Sequence, residues 1–298
     1  MYDPVIILAP PRSFTSVVCA MIGQHPQMYG IAEVHLFVAE TMRERAGMAK
    51  GTRYQHGLLR VVAQLFAKEQ TFQTITLAKR WVEIRANCTC VSTFQELAEK
   101  VSPQILVDKS PSIGMQSEYL QRVRRAFPNT KFIHLLRHPR AVGESLANLG
   151  AWRVAVSMDS FDYSTDPPML DYQKLWYRIH MNIITFLDGV PEKQKIRIRG
   201  EELLAEPDAQ LRQIVEWLGL RTDQEAIEAM KHPERSPYAS LGPVNARFGN
   251  DPNFLREPTL RRSSRAKELT LHGPLAWREE GREFCPEVIE LAQEFGYH

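Results

Sequence analysis

The sequence predicts an α/β protein with a single domain, in which a central parallel sheet is flanked by helices. Short apolar segments typical of strands alternate with longer segments whose apolar residues recur at helical spacing. Because strands that alternate with helices form parallel βαβ units, helices are expected on both faces of the sheet. The 298 residues, 44% of them hydrophobic, can bury a large core and contain no internal repeat. We therefore interpret residues 1–298 as one domain.

Four segments are predicted as strands, because each is short, apolar or alternating, and followed by a polar turn: Val5–Leu8, Ile105–Val107, Lys131–Leu136 and Lys195–Arg199. The first three continue directly into the basic turns APPRS, DKSPS and RHPRA. In a parallel sheet, ligands bind beyond the carboxyl ends of the strands. We therefore expect the basic residues of these three turns to converge at one edge of the sheet.

Two segments do not fit the simple alternation of strands and helices. Residues 36–104 are predicted to be mostly helical, and we interpret them as a helical lid insertion that covers the functional edge of the sheet. Residues 231–282 are rich in Pro, Gly, Arg and Ser. We predict that they form a long ordered loop with short helices, of the kind that closes a binding site.

Charge and composition restrict the classes of partner. A net charge of +2 gives no global attraction to nucleic acid or to an anionic membrane, so neither is expected as a partner. The N-terminus has no signal-peptide pattern, and no apolar run approaches the ~20 residues that span a membrane. The four cysteines lack zinc-binding spacing, and no other metal-ligand cluster is evident. We expect a cytoplasmic protein without a bound metal, in which any anion site is local.

The segment VIILAPPRSFTSVVCAMIG has the layout of a strand, a tight turn and a helix N-terminus. Free backbone N–H groups and the helix dipole at such a position favour a phosphate or a sulfate. Arg12 adds a cation with several donors, and Ser13, Thr15 and Ser16 add hydroxyl groups. The turn lacks the glycine and lysine of a Walker A loop, which argues against an ATP- or GTP-hydrolysing enzyme.

A second anion-binding turn is predicted in FIHLLRHPRAVGESLANLG. Arg137 ends the strand, and Ser145 follows eight residues later, about two turns into the next helix. This spacing allows both side chains to contact one phosphate group.

Together, the two turns resemble those of the sulfotransferases that use 3′-phosphoadenosine-5′-phosphosulfate (PAPS). APPRSFTS resembles the 5′-phosphosulfate loop of that family, and LLRHPRAVGES resembles its 3′-phosphate motif. ILVDKSPS, RIRGEELLAEPDAQLRQIVEWLGL and GNDPNFL resemble segments of the sulfotransferase domains of bacterial polyketide assembly lines. HPQMYGIAEVHLF resembles both those domains and the tyrosylprotein sulfotransferases, so the likeness extends from about residue 5 to residue 255.

The resemblance implies a reaction and a donor site. A sulfuryl group would pass from PAPS to a hydroxyl, or alternatively an amine, of a small-molecule acceptor, leaving adenosine 3′,5′-bisphosphate. The polyketide relatives suggest a role in natural-product biosynthesis. The phosphosulfate would be held by Arg12, Ser13, Thr15 and Ser16, and the 3′-phosphate by Arg137 and Ser145. Residues 36–104 would then cover the acceptor side, and residues 231–282 would close the cofactor site.

Sulfuryl transfer needs a base for the acceptor hydroxyl and positive charge at the leaving phosphate. The resemblance assigns a catalytic carboxylate to Glu33. Residues two apart in a strand-like segment point the same way, so His35 is expected to face the same pocket as Glu33. His35 is a second candidate for the base, or alternatively a group that orients it. By resemblance to the tyrosylprotein enzymes, Lys109 would lie beside the bridging oxygen, and Asp108 would orient it.

Two positions depart from the family pattern. Phe14 replaces a glycine in the first loop; it can still offer its N–H if its φ stays negative, or pack against the nucleotide or the lid. Gly200 stands where relatives often have an aromatic residue, so the adenine would stack on another group, either Trp81 or the C-terminal loop. One further basic residue of that loop is a candidate for the 3′-phosphate: Arg256, Arg261, Arg262 or Arg265.

Two other functions are compatible with the sequence. A phosphotransferase of related fold would need a glycine-lysine phosphate loop and a magnesium carboxylate, and neither is found. A nucleotide-binding regulator without catalysis is allowed by Phe14 and Gly200, but Glu33, His35 and Lys109 argue against it.

Overall fold

A five-stranded parallel sheet forms the centre of the computed structural model, which describes residues 3–49, 54–260, 269–278 and 281–298. The strands are β1 (Val5–Leu8), β2 (Met28–Gly30), β3 (Ile105–Asp108), β4 (Lys131–Leu136), β5 (Phe161–Asp162), β6 (Met169–Leu170) and β7 (Lys195–Arg199). The order of the strands in the parallel sheet is β2-β3-β1-β4-β7. Strands β5 and β6 form a separate antiparallel pair. The α/β prediction and all four predicted strands are confirmed, whereas β2 and the β5–β6 pair were not predicted.

The helices follow the strands in the expected alternation and cover both faces of the sheet. They are α1 (Thr15–Ile22), α2 (Met42–Ala49), α3 (Gln55–Ala67), α4 (Phe72–Ile84), α5 (Cys90–Val101), α6 (Ser117–Ala126), α7 (Pro139–Leu149), α8 (Trp152–Ser157), α9 (Tyr172–Asp188), α10 (Gly200–Ala205), α11 (Pro207–Leu218), α12 (Gln224–Met230), α13 (Pro252–Arg256) and α14 (Pro286–Glu294). Residues 36–104 were predicted to be mostly helical, and they contain α2 to α5.

Strand β1 shows why the sheet needs helices on both faces. Ile6 and Leu8 belong to one buried apolar cluster, and Val5 and Ile7 belong to the other. Successive strand residues point to opposite faces, so a strand that is apolar throughout must be covered twice. The two clusters lie on the two faces of the sheet.

The segment that was predicted as a long loop, 231–282, is anchored to α7. Its described part is irregular apart from α13 and short 3₁₀ turns. The Arg140 guanidinium donates to four backbone carbonyls between residues 270 and 274, at 2.7 to 3.0 Å. The Trp277 ring packs directly over Gly143, where any Cβ would overlap it. The helix that follows the second anion turn therefore also positions the C-terminal segment.

Candidate active site

The turn between β1 and α1 has an unusual backbone. Arg12 and Phe14 both have left-handed conformations, with φ values of 72° and 60°. Phe14 therefore does not meet the condition of a negative φ under which it was expected to offer its N–H. Turns that include left-handed residues can direct backbone N–H groups into a concave anion site. Helix α1 begins at Thr15 with no side-chain cap at its N-terminus.

The side chains of the two predicted anion turns lie together. Arg12 Nε donates to Ser145 Oγ at 2.8 Å. The Arg137 guanidinium donates to the backbone carbonyl of Arg12 and lies over the Phe14 ring, with 4.2 Å between Cζ and the ring centroid. The carboxylate of Asp251 forms an ion pair with Arg12. Residues far apart in sequence thus form one basic cluster.

Several polar atoms of this cluster are available to an anion. Within the described ranges, Ser13 Oγ and Arg137 Nε are buried without a hydrogen-bond partner. Burial lowers the pKa of Arg137 to about 10, so the guanidinium stays charged at neutral pH. Buried polar groups that lack partners are unfavourable unless a ligand satisfies them. The donors therefore fit a bound phosphate or sulfate.

Lys109 connects the anion turn to Glu33. Its ammonium lies 2.5 Å from Glu33 Oε1 and 2.9 Å from Ser16 Oγ. The Lys109 side chain is 0% exposed, whereas that of Glu33 is 23% exposed. A cation buried at the start of α1 is thus neutralised by a carboxylate that still reaches solvent.

Glu33 and His35 come together by a different route from the one predicted. Residues 31–36 are irregular and not a strand, and His35 has a left-handed φ of 48°. The strand-like interpretation of this segment is therefore wrong. The His35 ring nevertheless faces Glu33, with Nε2 3.6 Å from Glu33 Oε2, while its Nδ1 lies 2.8 Å from Ser112 Oγ.

Asp108 was expected to orient Lys109, but its hydrogen bonds in the described residues go to Ser110 instead. Its Oδ1 accepts hydrogen bonds from the backbone N–H and the hydroxyl of Ser110, at 2.9 and 2.8 Å. Ser110 Oγ in turn accepts the N–H groups of Val34 and His35, both at 3.0 Å. Asp108 therefore holds the backbone that follows Glu33.

The ion pair determines the charge of Glu33. Burial alone would raise the pKa of Glu33, but the Lys109 ammonium, together with the nearby His35 ring, outweighs it and lowers the pKa to about 2. Glu33 is consequently a carboxylate at any physiological pH.

Sequence reasoning missed some residues around the site. Asp251 lies in a segment that was noted only for its resemblance, and nothing in the sequence indicated Tyr54, whose ring centroid is 4.1 Å from that of His35. Trp81, a candidate for adenine stacking, is covered on one face by the Arg85 guanidinium at 3.7 Å. Three of the candidate basic residues lie outside the described residues: Arg261, Arg262 and Arg265.

Two glycines allow other segments to pack against the backbone of Glu33. The Glu33 N–H donates to the carbonyl of Gly249 at 2.8 Å. A Cβ at Gly57, in the first turn of α3, would overlap the carbonyl oxygen of Glu33. The position of Glu33 therefore requires glycine at position 57 of α3.

We expect Gly57→Ala to lower the free energy of unfolding by about 1–3 kcal/mol, because α3 must move away from Glu33. The matched control is Gly47→Ala in α2, where a Cβ meets no atom within 4 Å. That control should be neutral or stabilising by up to about 1 kcal/mol, because alanine favours a helix. Urea unfolding measures both, and equal changes in the two variants would contradict the close packing at Glu33.

The described ranges contain no group of three or more His, Cys, Asp or Glu side chains placed to hold a metal ion. None of the described helices has both the length and the apolar character that a membrane span requires.

Comparison with known proteins identifies the family. Over 250 residues, 79% of this chain, the sequence is 23% identical to protein-tyrosine sulfotransferase A of Caenorhabditis elegans, and it spans 57% of that protein's length. The fold is similar to that of the sulfotransferase domain from the curacin biosynthetic pathway, with a TM-score of 0.79, 24% identity, and coverage of 100% of this chain and 99% of that one.

A second solved structure, the sulfotransferase domain from the Synechococcus PCC 7002 olefin synthase, has a TM-score of 0.76 and 25% identity, and the match covers 100% of this chain and 97% of that one. Residues 4–224 match the model described as the sulfotransferase family. Because this match includes both anion turns and all five strands of the central sheet, the resemblance inferred from the motifs is confirmed, and the chain belongs to the sulfotransferase family.

Proposed function

We propose that the protein transfers a sulfuryl group from PAPS to a hydroxyl, or alternatively an amine, of a small-molecule acceptor. The observation that carries this proposal is the buried Lys109 ammonium, which contacts both Ser16 of the anion turn and the carboxylate Glu33. A cation and a proton acceptor are thus held side by side at the N-terminus of α1. Sulfuryl transfer requires both: the proton acceptor for the acceptor hydroxyl, and the cation for the leaving phosphate.

The donor would bind through its three anionic groups. Arg12, Ser13, Thr15 and Ser16, together with the N-terminus of α1, would hold the 5′-phosphosulfate. Arg137 and Ser145 would hold the 3′-phosphate. The hydrogen bond between Arg12 and Ser145 supports a single donor site, since it brings the two groups of residues next to each other.

The transfer step is an in-line displacement at sulfur. The acceptor oxygen forms a bond to sulfur while the bond from sulfur to the bridging oxygen of the 5′-phosphate breaks. The proton of the acceptor hydroxyl passes to Glu33, and the electron pair of the broken bond stays on the phosphate. Lys109 stabilises the negative charge that develops there.

The ion pair links the two roles. While Lys109 faces Glu33, the pKa of the carboxyl is about 2 and the group is a weak base. As negative charge develops on the leaving phosphate, the ammonium is attracted to it and its hold on the carboxylate weakens. The basicity of Glu33 therefore rises as the acceptor proton is lost.

The class of acceptor is inferred from the relatives. Two sulfotransferase domains whose names refer to the curacin pathway and to an olefin synthase match this chain over its whole length. Their small-molecule pathways favour a natural-product acceptor for this protein. The match to a protein-tyrosine sulfotransferase makes a tyrosine-containing peptide the necessary comparison in any acceptor panel.

The function is tested by calorimetric titration with adenosine 3′,5′-bisphosphate and with ATP, followed by mass spectrometry of products formed from PAPS and a panel of hydroxyl and amine acceptors. We expect the bisphosphate to bind more tightly than ATP, and a product heavier by one sulfuryl group to form. Tighter binding of ATP would favour a phosphotransferase. Binding of the bisphosphate with no transfer to any acceptor would favour a regulator without catalysis.

A further inference from the structure

We propose that Phe14 is a positioning residue, whose ring holds the Arg137 guanidinium in the orientation that binds the 3′-phosphate of the donor. This inference rests on the proposed function and deepens it. It assigns to Phe14 a role that acts through Arg137 and not through direct contact with the donor.

The first observation is the backbone of Phe14. Its φ of 60° and ψ of 7° lie in the left-handed region, which disfavours any residue that has a Cβ. Glycine adopts this conformation without that penalty. A strained conformation persists where the surrounding structure requires it, and this is common at functional sites. The side chain of Phe14 is therefore expected to have a role of its own.

The second observation is the packing of the Phe14 ring against α10. A Cβ at Gly200, the first residue of α10, would lie 2.5 Å from Phe14 Cδ2 and 3.3 Å from Cε2. The ring thus rests against the backbone of α10, and no side chain fits at position 200 while the ring is there. The two departures from the family pattern, Phe14 and Gly200, consequently depend on each other.

The third observation is what the ring supports. The Arg137 guanidinium lies 4.2 Å above the ring centroid and donates to the carbonyl of Arg12. Its Nε has no hydrogen-bond partner among the residues that the structure describes. A buried cation over an aromatic face is held more strongly than an exposed one. The ring therefore restricts the guanidinium while part of its donor set stays available to a ligand.

A variant that loses the ring should lose mainly the recognition of the 3′-phosphate. We expect Phe14→Gly to weaken the binding of adenosine 3′,5′-bisphosphate about 30-fold, the size of a desolvated cation–π contact. Binding of adenosine 5′-phosphate, which lacks the 3′-phosphate, should change little. Phe14→Leu keeps an apolar side chain without the aromatic face, and should fall between wild type and Phe14→Gly.

The coupling to Arg137 is measured by a double-mutant cycle. In an Arg137→Ala background, Phe14→Gly should have little further effect on the affinity for the bisphosphate. If Phe14 only stabilised the fold, its replacement would weaken the binding of both nucleotides equally, and this loss would also occur in the Arg137→Ala background. Unchanged bisphosphate affinity of Phe14→Gly, or equal losses for both nucleotides, would overturn the inference. Thermal unfolding and circular dichroism confirm that each variant is folded.

The dependence between positions 14 and 200 gives an independent test. Since a Cβ at position 200 points into the space of the ring, Phe14→Gly combined with Gly200→Phe supplies an aromatic group from the other side. We expect this double variant to regain most of the affinity for the bisphosphate, whereas Gly200→Phe alone should be destabilised by the clash. A double variant no better than Phe14→Gly would count against the ring as the support of Arg137.

The controls separate this inference from the proposed function. If the wild-type protein binds the bisphosphate no more tightly than adenosine 5′-phosphate, recognition of a 3′-phosphate fails, and the inference fails with it. If wild type prefers the bisphosphate and Phe14→Gly keeps that preference, the inference alone is wrong.

Discussion

Replacing Glu33 with glutamine should lower the rate of sulfuryl transfer by about 100- to 10,000-fold, the usual contribution of a general base. Glutamine has nearly the same shape and still accepts a hydrogen bond from Lys109, but it cannot take the proton of the acceptor. The Arg12–Ser145 hydrogen bond and the Arg137 contact with Arg12 do not involve Glu33, so the affinity for adenosine 3′,5′-bisphosphate should be retained. Initial rates with PAPS and calorimetric titration measure the two quantities separately.

The matched control is Glu83→Gln, at an exposed position in α4, which should leave both quantities unchanged. Near-wild-type turnover of Glu33→Gln would instead assign the base to His35. Equal losses in rate and in affinity for the bisphosphate would mean that Glu33 holds the donor site together and does not act as the base.

The pH profile distinguishes the two candidate bases in the wild-type protein. Because its folded-state pKa is lowered to about 2, Glu33 stays ionised throughout the range in which the protein is assayed. A Glu33 base therefore predicts no loss of rate as the pH falls from 8 to about 5, which is still above an ordinary glutamate pKa. A loss of rate at a pH well above 5 would instead assign the base to a group other than Glu33, and His35 is the other candidate.

The sheet could be predicted from the sequence because its buried strands are apolar runs that end in charged turns. Strands β1, β4 and β7 have the predicted bounds, and β3 extends one residue further, to Asp108. Strand β2 could not be predicted in the same way. It contains only three residues, MYG, which are too few to show a periodic pattern.

The sequence indicated which of the candidate residues lie near one another, but it did not indicate their backbone conformations. Arg12, Phe14 and His35 all have a positive φ, although none is glycine, and no local sequence signal indicates that conformation. The contact of Asp251 with Arg12 joins residues more than 200 positions apart, so it depends on the folded chain as a whole. The side chains of Glu33 and His35 face each other in an irregular segment in which His35 has a left-handed backbone, and not in a strand.

Lys109 is the residue whose replacement should reveal both halves of the proposed mechanism. We expect Lys109→Met to lower the rate of transfer by about 100- to 1,000-fold, the usual effect of removing one donor that stabilises developing charge. Methionine fills a similar volume without the ammonium, so the leaving phosphate loses its partner. The control is Lys79→Met, at an exposed position in α4, which should transfer at the wild-type rate.

Lys109→Met should also change the pH dependence of the transfer rate. The direction follows from the two effects that set the pKa of Glu33. Lys109 lowers the pKa of Glu33, and burial raises it. Without the ammonium the burial effect has less opposition, so the pKa of Glu33 must rise. The residual rate of Lys109→Met should then fall on the acidic side at a higher pH than the rate of wild type, because Glu33 is protonated there and cannot accept a proton. A residual rate with the wild-type acid profile would show that Lys109 does not control the charge of Glu33, and the link between leaving group and base would have to be abandoned.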